Sequence, residues 1–206
     1  MAECCHDKSC EIEALKEKQG SVLKIVLVIN AAMFLVESTA GFIAGSTALL
    51  ADSLDMLGDA LVYGFSLYVL GMGIKWQARS ALLKGFIMAG SGLFVLGEVF
   101  YKLIYPAVPS AATIGWIGLL ALAMNALCLG LLWRHRTDDI NMHSVWLCSR
   151  NDIIANTSVL AAGLGVWLTN TGWPDIAVGL VLAAVFFKSA VFVIMRALRH
   201  INGQAI

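Results

Sequence analysis

Asp52, Asp55 and Asp59 interrupt an apolar stretch of the chain at positions i, i+3 and i+7. At about 100° per residue, a helix carries all three on one stripe. Asp55 and Asp59 then lie one turn apart, close enough to hold one cation together. Cys148 and Asp152 repeat the i, i+4 spacing further along, and Asn156 continues that stripe by another turn. Two helices that each present two donors at this spacing can close a four-coordinate site. Tetrahedral geometry with carboxylate oxygens and a thiolate suits zinc. Magnesium and calcium prefer more oxygens and no sulfur, and the thiolate tilts preference towards softer ions such as cadmium. Asp55, Asp59, Cys148 and Asp152 are therefore the expected metal ligands, with Asp52 and Asn156 as accessory candidates. Asp52 has a second candidate role, as a helix cap or a hydrogen-bond partner of its neighbours.

Other polar groups need separate accounts. The first residues hold Cys4, Cys5, His6 and Cys10, three thiols and an imidazole that suit capture of a soft metal. Their spacing matches no standard zinc motif. Glu37 and Glu98 are further acids in apolar surroundings, where a charge costs roughly 2.5–3.5 kcal/mol on insertion scales. Lys102 follows Glu98 by four residues, so an ion pair within one helix is expected there. Glu37 and Asn125 are candidates for a proton path or for helix packing. Cys128 reads as a small apolar filler. Five cysteines divided between a polar tail and apolar spans do not form a disulfide framework.

The elements that must position these groups are membrane helices. Of 206 residues, 59% are hydrophobic and 14% charged, against roughly 25% charged in a soluble domain. The charges cluster at the N-terminus and in short loops. Between them lie apolar stretches of the length that a hydrocarbon core demands, about 20 residues. Spans are expected near 22–44, 47–72, 80–105, 113–133, 144–169 and 174–196, separated by Gly45-Ser46, Pro106 and Pro109, and Gly172-Trp173-Pro174. Lys8, Lys16, Lys18 and Lys24, Lys75, Arg79 and Lys84, Arg134 and Arg136, and Arg196 and Arg199 mark one side of the membrane. The alternate loops near residues 45, 109 and 172 carry no Lys or Arg. Positive charge marks the cytoplasmic side, so both termini are expected in the cytoplasm. An even number of spans agrees. Trp116, Trp133, Trp146 and Trp173 fall near span ends, as interfacial anchors do. The fold class is thus an all-α membrane protein, a bundle of six transmembrane helices over residues 22–200, with a cytoplasmic tail at 1–21 and a short one at 201–206. Met1 to Lys18 has no apolar core of a signal peptide. Zero net charge gives no reason to expect a nucleic-acid partner.

Several segments in register resemble the cation diffusion facilitator family. Phe34-Leu35-Val36-Glu37 followed by Gly45 to Ser53 resembles that family's passage from first to second helix. Asp55-Met56-Leu57-Gly58-Asp59 is similar to its second-helix metal motif, [HD]-x-x-x-D. Asn141 to Asp152 resembles its fifth-helix motif, where H-x-x-x-D is usual, and Trp173-Pro174-Asp175 with Gly179 resembles the start of its sixth helix. The resemblance covers about residues 22–200. It implies a six-helix bundle, usually dimeric, that exports divalent metal from the cytoplasm in exchange for protons. It carries the transport-site role onto Asp55, Asp59, Cys148 and Asp152, and no ligand role onto Asp52, Asp175 or Glu98. Cys148 departs from the pattern by standing where His is usual, which favours zinc and cadmium over manganese. His143, five residues before Cys148, faces another direction. Seven residues follow Arg199, so the cytoplasmic C-terminal domain of most members is expected to be lacking and a homodimer would form through the membrane helices.

Metal binding needs deprotonated ligands, so protons and metal compete for the same lone pairs and proton antiport is the expected coupling. No prosthetic group is implied; the transported ion, Zn2+ or Cd2+, is the substrate. The bacterial inner membrane is the expected location. The alternative is a membrane-embedded metal sensor or accessory scaffold that binds metal without moving it. Neither a nucleophile–base pair nor an H-E-x-x-H motif is present, so an enzyme is not expected.

Overall fold

A segment in hydrocarbon must satisfy its own backbone, and the helix does so within one segment. The computed structural model describes the backbone of residues 3–69, 74–136 and 140–201, and all its regular elements are helices. They are α1 (Glu3–Ala44), α2 (Thr47–Val69), α3 (Ile74–Ile104), α4 (Ala111–Trp133), α5 (Ile140–Thr169) and α6 (Trp173–Ile201). Each matches one expected span, although α2 is described only to Val69 of the expected 47–72, residues 70–73 lying outside the described residues, and α3 ends at Ile104, one residue short of 80–105. Several run further, because charged residues at a membrane surface can prolong a helix that the apolar stretch has already nucleated. The chief case is α1, which begins at Glu3 instead of near residue 22. Among the described residues, five segments are long and apolar enough to cross a membrane, Gly20–Ala44, Gly85–Ile104, Ala111–Trp133, Asp152–Thr169 and Trp173–Met195. Helix α2 has the length but carries three carboxylates. It tolerates them because it is the most enclosed helix, packed against α1, α3, α5 and α6.

The six helices form a closed ring in the order α1, α2, α3, α6, α5, α4, with α2 also touching α5 and α6 across the middle. Ala48, Leu49 and Ala51 of α2 meet Val95, Ile114, Val159, Ala162, Leu182, Ala183 and Phe186 in the principal core. Large apolar side chains such as Leu35, Phe42, Leu93 and Trp116 point outward and are exposed. That distribution is what contact with lipid requires. Gly179 lets α6 approach α2 closely, since a Cβ there would lie 2.6 Å from Thr47 Cγ2.

The turn from α1 to α2 explains itself residue by residue. Gly45 has φ 61°, a left-handed conformation that glycine adopts without strain. The Ser46 amide donates to the Gly41 carbonyl at 2.9 Å, closing the C-terminus of α1 with a six-residue loop-back. Ser46 then caps α2, its Oγ accepting from the Leu49 amide at 3.1 Å. The Ser110 amide donates to the Ala44 carbonyl at 3.0 Å, which ties the α3–α4 connection to this turn. At the opposite end of the bundle, Trp133 and Trp146 meet edge to face at 5.7 Å. Arg136 stacks over Trp133 and Arg150 over Trp146. Arginine over tryptophan keeps the cation near the surface while the ring faces apolar neighbours.

Candidate metal site

Because α2 places residues four apart on one face, Asp55 and Asp59 project the same way, towards α5 and the α3–α6 pair. Asp152 on α5 lines the same space. All three border one cavity of about 150 Å³, walled also by Leu54 and Gly58 of α2, Ile87, Met88 and Ser91 of α3, Ala155 of α5, and Leu182, Val185, Phe186 and Ser189 of α6. That volume holds a cation with a few waters, at roughly 30 Å³ per water. Asp59 and Asp152 are buried and Asp55 is half-buried. Tyr63, one turn beyond Asp59, is fully buried and donates its hydroxyl to Asp59 Oδ2 at 3.3 Å. One Asp59 oxygen is therefore already oriented, as outer partners of metal ligands commonly do.

Cys148 lies on α5 one turn before Asp152, but its side chain is outside the described residues. Among the described residues, no three His, Cys, Asp or Glu side chains stand close enough to hold one ion. The side chains of Cys4, Cys5, His6 and Cys10 likewise fall outside the described residues. The two accessory candidates do not border the cavity. Asn156 donates through Nδ2 to the Asp152 carbonyl of its own helix at 2.9 Å. Asp52 is buried in the second turn of α2, too far in to cap it, and its carboxyl group faces that of Glu37 of α1.

The expected pair within α3 is corrected. Lys102 does not turn back to Glu98; it pairs with Asp175 of α6, Nζ to Oδ2 at 3.0 Å, and also donates to the Gly45 carbonyl. Burial decides between the acids. Asp175 is fully enclosed whereas Glu98 is half-buried, and a carboxylate removed from water needs a counter-charge more than one that keeps some. Asp175 accepts three further hydrogen bonds, from the Ser46 hydroxyl at 2.5 Å, the Thr47 amide at 2.7 Å and the Ala48 amide at 3.2 Å. It lies in the first turn of α6 and on the first turn of α2, so two helix N-termini favour its charge. Cys128 is buried among Leu23, Val26, Tyr63 and Leu132 in a small apolar cluster, as a filler would be.

Ser91, Ser189 and Tyr63 also belong to this region. Tyr63 carries a signal, for it extends the Asp52, Asp55, Asp59 stripe by one more turn. The serines carry none, being lone hydroxyls on helices whose relative rotation only packing determines.

Residues 23–201 match the profile of the cation efflux transmembrane domain. The chain is 19% identical over 172 residues to the metal cation efflux system protein CzcD of Cupriavidus metallidurans, a match covering 78% of this chain and 54% of that protein. It is 21% identical over 184 residues to the cadmium, cobalt and zinc/H(+)-K(+) antiporter of Bacillus subtilis, covering 82% and 58%. With the vacuolar zinc transporter ZRC1 of Saccharomyces cerevisiae it shares 26% over 141 residues, covering 61% and 32%. The chain thus spans about half the length of the bacterial relatives it matches. With the domain match running from the first apolar stretch to the end of α6, on a bundle of apolar helices that makes it a multi-pass integral membrane protein, the chain belongs to the cation efflux, or cation diffusion facilitator, family.

Proposed function

We propose that the protein exports a divalent transition metal, zinc or cadmium, from the cytoplasm across a bacterial cell membrane in exchange for protons. The observation that supports this most is that Asp55, Asp59 and Asp152 line one cavity bordered by α2, α3, α5 and α6. Acids in such a place are costly unless a cation or proton visits them. Cys148, one turn from Asp152, supplies the fourth ligand and the preference for a soft ion. Fully ionised, three carboxylates and a thiolate carry four negative charges against two on the metal. The set therefore accepts protons whenever the metal leaves, which is what an exchanger needs. Helices rocking about this site would open it to each side in turn. Both termini lie in the cytoplasm on this scheme, and two copies associate through membrane helices. The names of the matched relatives, a cation efflux protein, an antiporter and a zinc transporter, agree with export of such metals.

The test is metal uptake into proteoliposomes with an imposed pH gradient, using zinc, cadmium, cobalt and manganese. Uptake of zinc or cadmium is expected, lost in Asp59→Ala and shifted from cadmium towards zinc in Cys148→His. Tight binding without any uptake would replace transport by the sensor alternative. Uptake against a metal gradient that ignores external pH would refute proton coupling.

A further inference from the structure

Glu37 and Asp52 are buried acids that the metal cavity does not use. Glu37 is 0% exposed and Asp52 1%. Counted as ionised acceptors, neither oxygen of Glu37 nor Oδ2 of Asp52 meets a donor among the described residues. The group that each carboxyl faces is the other carboxyl. A hydrogen bond between two carboxyls exists only when one of them carries a proton.

Among the described residues, nothing around the pair can neutralise it otherwise. On α1 the next charged residue in the membrane segment is Lys24, far along the helix. Helix α4, which packs on α1, contains no charged residue. Helix α2 adds only further acids, Asp55, which lies within electrostatic reach of Glu37, and Asp59. Asp152 of α5 belongs to the cavity, and Arg150 is exposed. On α3, Lys102 is committed to Asp175 of α6, Glu98 is a further acid, and Lys188 of α6 is exposed. An ionised pair in a low-dielectric interior would be costly, and a buried acid without a cation takes a proton instead.

Position gives the pair a use. Asp52 stands between the α1–α2 turn, closed by Ser46, Thr47 and Asp175, and Asp55, one turn deeper at the cavity wall. A dication at Asp55 would favour ionisation of acids so near. We infer that Glu37 and Asp52 form a second proton site, outside the metal ligands, that gives up one proton when metal binds and regains it when metal leaves. The step is a proton transfer alone. The O–H bond of the shared proton breaks, the proton passes to water, and the bond forms again from solvent after metal release; no electrons move. The inference rests on the antiport reading but concerns a different pair of residues.

The full chain in detergent, titrated with cadmium by calorimetry in two buffers of different ionisation enthalpy, gives the protons released per metal bound. Wild type is expected to release about one more proton than Glu37→Gln, with cadmium still bound by the variant. Equal proton release in the two overturns the inference. Asp52→Asn gives the same reading from the other acid if Glu37→Gln does not fold. In the unaltered protein, an apolar carbodiimide, which attacks protonated carboxyls in apolar surroundings, should label Glu37 or Asp52 by peptide mass, and cadmium should suppress the label. No label on either acid without metal also overturns it. Failure of the antiport reading looks different, as no cadmium uptake by wild-type vesicles despite unchanged proton release on binding.

Discussion

Asp175→Ala is the perturbation whose energetic consequences the structure sets most fully. The substitution removes one carboxylate and leaves Lys102 buried with the Gly45 carbonyl as its remaining described acceptor, while the Ser46 hydroxyl and the Thr47 and Ala48 amides lose theirs. Breaking a buried ion pair from one side costs about 3–5 kcal/mol, because an uncompensated charge remains. Hydrogen bonds inside a bilayer are worth less than that bound implies, since the unfolded helices find other partners, so the lower end, ~3 kcal/mol, is expected. Lys102→Met is milder. It leaves Asp175 held by three donors and two helix N-termini, and a loss of about 1–3 kcal/mol follows from one charged hydrogen bond removed. In the double variant no charge is orphaned, so it should be no less stable than Asp175→Ala alone. The assay is unfolding of the purified protein in mild detergent by added dodecyl sulfate, followed by tryptophan fluorescence and helical circular dichroism. If the two single losses add within about 0.5 kcal/mol, the residues are independent and the network does not act as a unit.

Two further outcomes follow from the packing. Gly179→Val should lose about 1–3 kcal/mol in the same unfolding assay, because its first added atom would stand 2.6 Å from Thr47 and separate α6 from α2. Tyr63→Phe should keep the fold but weaken cadmium binding in calorimetry by up to about tenfold, the low end for an outer partner of a metal ligand, since Asp59 loses its donor at 3.3 Å; unchanged affinity would show that the hydroxyl does not orient Asp59.

Features that depend on local spacing are legible in the sequence. The six helices follow from apolar length and from Gly45, Pro106 and Pro109, whose effects are confined to a few residues. The shared direction of Asp55 and Asp59 follows from one helical turn. Their sharing a cavity with Asp152 is only suggested by matched spacing, because nothing in either segment states that α2 and α5 touch across the ring. Lys102 shows why local rules fail. At i+4 from Glu98 it has an obvious partner worth a few tenths of a kcal/mol on an exposed helix, about 0.2–0.5. The actual partner lies 73 positions away and wins because its own burial leaves it no water.

The same reasoning separates two groups of buried acids by what surrounds them. Asp175 has a lysine, a hydroxyl and two amides, so it can stay charged and hold helices together at one end of the bundle. Glu37 and Asp52 have only each other among the described residues. Nothing in their residue type distinguishes the two cases, and a search for acids in apolar segments marks all of them equally. What differs is how many donors each carboxylate meets after folding. A saturated carboxylate fixes structure, whereas one without donors must bind something mobile. In a protein whose proposed work is to exchange a dication for protons, Glu37 and Asp52 are therefore placed to carry a proton, while the acids lining the cavity meet the metal.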